Sequence, residues 1–145
     1  MESEIWMSFQ TSRGANATLF LGIIIATWVA ARFSSVMIEK GINIVGKILG
    51  SIFALSVFAA GWNIFTTIGN QWIIHANALS GLGEDASPIA KAFVAEYGGE
   101  LITMPNPIAI AFLVSVFLIA FLPLWINPDN YCLLYTSDAA DECSG

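Results

Sequence analysis

Residues 107–126 read PIAIAFLVSVFLIAFLPLWI, an uncharged run whose only side-chain hydroxyl is Ser115. A helix of that length rises about 30 Å, the thickness of the hydrocarbon core of a bilayer. A helix at the surface of a soluble fold would carry a polar face; this run is apolar all round, which calls for lipid or protein on every side. Two similar runs precede it. Residues 17–37 (ATLFLGIIIATWVAARFSSVM) carry one charge, Arg32, near their end, and residues 48–68 (ILGSIFALSVFAAGWNIFTTI) carry none. The expected fold is therefore an all-α integral membrane protein with three transmembrane helices, the first two forming a helical hairpin.

The rest of the composition agrees. The 145 residues are 57% hydrophobic and 11% charged, whereas soluble domains are about 45–50% apolar and about 25% charged. A soluble fold of this length leaves too much surface in water to hide so many apolar side chains. Disorder, collagen, coiled coil and a basic nucleic-acid binder are excluded on the same grounds.

The formal charge of −6 includes a stretch that does not read as native. With permitted codons, Cys132 to Glu142 (CLLYTSDAADE) back-translates to a sequence resembling the transposase adapter of sequencing libraries. Residues 1–131 are thus expected to form a single polytopic membrane domain, and 132–145 a non-native tail. Without that tail, five bases face eight acids and both cysteines are lost, leaving no disulfide and no thiolate chemistry.

Local signals mark the boundaries. Asn106 before Pro107 reads as an N-cap followed by proline at the first helical position, where no N–H is missed. Ser87 before Pro88 repeats the pattern and predicts a short interfacial helix over about 89–97, stopped by Gly98-Gly99. Its residues Ile89, Phe93 and Tyr97 are expected to share one face, lying on the membrane or capping the bundle. Pro123 should kink or end the third span. Gly41 is the expected turn of the hairpin, and Asn70 to Leu79 allow the second helix to run past the bilayer. The leader Ile5-Trp6-Met7-Ser8-Phe9 is apolar enough to rest at the headgroup level. Trp6, Trp62, Trp72 and Trp125 fit an interfacial aromatic belt. The acidic start, Met1-Glu2-Ser3-Glu4, is unlike a cleavable signal.

Bases near the membrane set orientation. Arg32, Lys40 and Lys47 flank the first turn, while the 69–106 connection has Lys91 against Glu84, Asp85, Glu96 and Glu100. The 38–47 loop is therefore expected in the cytoplasm and the N-terminus outside, as in a bacterial inner membrane. Arg13 runs against that pattern.

Two stripes carry the functional reading. Small residues recur at every fourth position: Gly22, Ala26 and Ala30 in the first span, Gly46, Gly50 and Ala54 in the second. In lipid, helices associate by close approach, which small side chains permit, so these six are expected at helix contacts within the chain or between chains. Asn63, Thr67, Gln71 and His75 lie at the same spacing and would line a polar path, or else form interhelical hydrogen bonds. His75, the one histidine, has no ligand set around it in sequence; no catalytic, cofactor or metal residues are assigned. The span interiors lack the carboxylate or histidine of a proton-coupled carrier. The favoured function is a non-catalytic accessory or structural subunit that packs through small-residue faces. Its expected partners are the lipid bilayer and other membrane subunits or copies of itself, not nucleic acid. The alternatives are a self-assembling pore or small-solute carrier lined by the Asn63 stripe, and a membrane enzyme whose other half follows Tyr131.

Overall fold

Four α-helices make up the computed structural model, which describes residues 1–41 and 43–126: α1 (Glu2–Glu39), α2 (Ile44–Ser80), α3 (Pro88–Tyr97) and α4 (Pro107–Trp125). Among the described residues there is no strand. The proposed tail 132–145 lies outside them. The helices start where their caps predict. The Asn106 side chain accepts from Ala109 N at 2.9 Å, and Ser87 Oγ accepts from Ala90 N at 3.2 Å. Asn43 does the same for α2, accepting from Gly46 N at 2.8 Å. Gly41 follows α1 with φ +75°, a left-handed turn that side-chain-bearing residues resist.

Three of these helices are long and apolar enough to cross a membrane: α1, α2 and α4. Antiparallel to α1, α2 completes the hairpin, with Phe20 against Phe65 at 5.9 Å and Ala30 clustered with Ala54. Alongside α2, α4 also runs antiparallel, and Leu124 meets Gly50 while Phe112 meets Phe65. Ala120 completes the alanine cluster, and the Ser34 hydroxyl donates across from α1 to the Ala120 carbonyl at 2.6 Å. Such a bond ties two helices where no water competes. The outer surface carries Ile25, Trp28, Ile52, Leu55 and Ile119, all more than half exposed. Water would not tolerate that surface; lipid does. The chain is a multi-pass membrane protein.

The 19 residues of α4 span about 28 Å, and their match to α2 marks Gly50 to Phe65 as membrane depth. At the hairpin end, Trp125 Nε1 donates to Ser51 Oγ at 2.9 Å, and Lys47 Nζ lies 5.6 Å from the Trp125 ring centroid. Both contacts suit an interface. At the other end, α2 continues to Ser80 as its unbroken sequence allows. There α1 departs from expectation: Ile5 to Phe9 form its first turns rather than a separate headgroup segment. Phe9 explains why, since it is 4% exposed and packs against α2 and α3 instead of lipid.

These projecting ends form an aromatic cap. The Phe9 ring lies 5.0 Å from Trp72 and 5.2 Å from Phe93, and Trp6 lies 5.2 Å from Phe93. In α3 the inward face is Ala90, Phe93, Val94 and Tyr97, while Ile89 is 74% exposed. The expected grouping of Ile89 with Phe93 and Tyr97 fails because four-residue steps advance about 40° around a helix. Ala90, fully buried, takes the place given to Ile89.

Glu2 fastens the cap, well short of the membrane-spanning part of α1. Its carboxylate accepts from Ser87 Oγ at 2.7 Å, Ser87 N at 3.0 Å and Trp6 Nε1 at 3.1 Å. The Ser87 hydroxyl and amide, then the indole, hold its pKa below the ordinary 4.5. A carboxyl with a lowered folded pKa stabilises above its unfolded pKa and loses that contribution as pH falls through the folded one. Docking of α3 onto α1 is therefore expected to loosen on acidification below 4.5. Amide exchange in α3 reads this, and Glu2→Gln should remove the pH dependence; α3 exchange that is insensitive to acid in the wild type would refute it.

Candidate functional site

The small-residue stripe is occupied from within the chain. Gly46, Gly50 and Ala54 are buried on α2, and Ala30 on α1. A Cβ on Gly50 would come within 2.7 Å of Leu124 Cδ1 and 3.4 Å of Phe33 Cε1, so this glycine lets both neighbouring helices approach. Ala26 is half-buried, and Gly22 is exposed with open space beside it. The buried positions of α1 instead include Phe9, Asn16, Ile23 and Ala30, seven apart. Seven residues drift only about 20° around a straight helix, whereas each four-residue step moves about 40°. Counting in fours thus walked from Ala30 off the contact at Gly22. Counting in sevens from Ala54 would have found Gly61, a buried glycine whose missing Cβ makes room for Leu113.

The same rotation divides the polar stripe. From Asn63 to His75 three four-residue steps turn about 120°. Asn63 and Thr67 are exposed. Asn63 donates to the Ala59 carbonyl of its own helix at 3.0 Å, and its amide oxygen has no partner among the described residues. Gln71 and His75 face α1. Gln71 Oε1 accepts from Asn16 Nδ2, His75 Nδ1 lies 2.6 Å from the Gln71 carbonyl, and His75 Nε2 lies 3.3 Å from Ser8 Oγ. The structure thus gathers Gln71 and His75 with Asn16 and Ser8 where α1 and α2 meet near the aromatic cap. It does not bring Asn63 or Thr67 to them. No protein family, curated protein or solved structure matches this chain.

His75 is 9% exposed and sits between two helices, with both ring nitrogens near protein oxygens. Among the described residues no three His, Cys, Asp or Glu side chains converge as a metal site. Every buried side-chain nitrogen and oxygen among them has a hydrogen-bond partner. Asn63 and Thr67 are among the polar side chains that lie on the outside of the bundle.

Proposed function

We propose that this chain is a non-catalytic membrane subunit that holds its three spans together through small residues and docks a partner helix on the Asn63 face of α2. The observation that carries the reading is the division of α2 into two faces. Gly46, Gly50, Ala54 and Gly61 are buried inside the chain, so they are not free to bind a partner. Asn63, beside the Phe65–Phe112 contact and so at membrane depth, is exposed, and its amide oxygen has no partner among the described residues. A polar side chain facing hydrocarbon is costly, and a neighbouring helix that supplies a hydrogen bond relieves the cost. The partner is another membrane subunit or a second copy.

The second reading, a self-assembling pore or small-solute carrier, draws on the same exposure. Several copies could turn Asn63 and Thr67 toward a shared axis. For either reading, the positive hairpin turn supports a bacterial inner membrane with 38–47 in the cytoplasm and the N-terminus outside.

One cysteine series tests orientation and path together. Intact cells are treated with an impermeant, water-soluble maleimide. Lys91→Cys is expected to label and Lys40→Cys to stay unlabelled; the reverse would invert the orientation. Asn63→Cys and Thr67→Cys are expected to stay unreactive, being covered by a helix or lipid. Labelling of both would overturn the docking reading in favour of the pore.

A further inference from the structure

Between α2, the last turn of α3 and the segment leading into α4 lies a cleft of about 470 Å³, lined in part by Phe65, Trp72, Glu96, Tyr97, Ile102 and Asn106. Its volume falls within the range of small-ligand sites. Two asparagines fix its walls by pairing with backbone as a neighbouring strand would. Asn70 donates to the Ile102 carbonyl at 3.0 Å and accepts from Ile102 N at 2.8 Å. Asn77 donates to the Gly99 carbonyl at 2.9 Å and accepts from Gly99 N at 3.1 Å. Ile102 then rests against Gly69, where a Cβ would come within 2.6 Å of its Cδ1.

Its chemistry is one-sided. Phe65 lies at membrane depth and Trp72 in the cap, so the cleft straddles the interface. Three aromatic rings line it, and the sole charge in its lining is the carboxylate of Glu96. Lys91, the nearest base in sequence, is bonded to Glu84 at 3.0 Å, and Glu96 has no basic partner among the described residues. Aromatic rings and a carboxylate attract a cation, and the apolar wall favours one that carries alkyl groups over a hydrated metal ion. An anion would face the Glu96 carboxylate with no base in the lining to offset it. We propose that this cleft binds an alkylated ammonium group, with Glu96 pairing to its charge and Trp72, Tyr97 and Phe65 packing around its methyl groups.

Such a group reaches an interface either as a free quaternary ammonium solute or as the headgroup of phosphatidylcholine. The test titrates tetramethylammonium chloride into the purified chain in non-ionic detergent, against sodium chloride at equal ionic strength, following tryptophan fluorescence. A saturable change in the millimolar range is expected, absent with sodium and absent in Trp72→Phe. Glu96→Gln, at an exposed position and so without risk to folding, should raise the midpoint by about tenfold, or 1.4 kcal/mol. No saturable change, or one identical in Glu96→Gln, would overturn the proposal. Repeating the titration in vesicles separates the sources. A response in phosphatidylglycerol that vanishes in phosphatidylcholine assigns the lipid headgroup; equal responses in both assign the free solute, and either keeps the site.

Discussion

Replacing Gly61 with leucine is expected to cost the bundle about 1–3 kcal/mol, with Gly50→Leu in the same range. At both positions the space for a first carbon is already taken, by Leu113 at Gly61 and by Leu124 at Gly50. The opposing atoms are leucine methyls, which could swing away were there room. There is none, because Leu113 is fully buried and Leu124 is 1% exposed. The helices must therefore separate, losing the close approach that holds them in lipid. Phe53→Leu, at a 39% exposed site, should cost less. Melting in detergent measures all three, and pairing Gly61→Leu with Leu113→Ala should recover part of the loss. Equal melting of Gly61→Leu and Phe53→Leu would refute the packing described.

Phe9→Ala is expected to have a larger effect, about 3–5 kcal/mol, because it empties the centre of the cap. Phe9 touches Trp6, Trp72, His75 and Phe93, drawing together α1, α2 and α3. The loss should be local. Amide exchange in α3 should accelerate strongly while the spans, held by the Ala30, Ala54 and Ala120 cluster, keep their protection. Unchanged protection of α3 would show that the Glu2–Ser87 bonds hold the cap without the aromatic cluster.

The spans were legible in the sequence because burial in lipid is a property of composition, which needs no knowledge of partners. Helix starts at Ser87 and Asn106 were legible because capping is settled within four residues. Faces were harder. The stripes counted in fours matched the contacts near Gly46, Gly50 and Ala54, then rotated away at Gly22 and at Ile89. Packed antiparallel helices keep nearer to a seven-residue repeat, and that repeat was hidden in α1 by its mixture of residue types: Phe9, Asn16, Ile23 and Ala30 share no chemistry. The Asn63 stripe failed to stay on one face for the same reason. The cleft beside Trp72 was not legible at all, since Asn70 and Asn77 reach Ile102 and Gly99 across 32 and 22 residues. No local pattern encodes that pairing.

The docking reading is tested most directly by the native mass of the complex in mild detergent, measured for the wild type and for Asn63→Leu. The expected result is a wild-type particle in which this chain stands in fixed ratio to a partner span, and its dissociation in Asn63→Leu with the three-helix fold intact. A wild-type chain that runs as a bare monomer would contradict it. So would a closed ring of copies that conducts solute in liposomes.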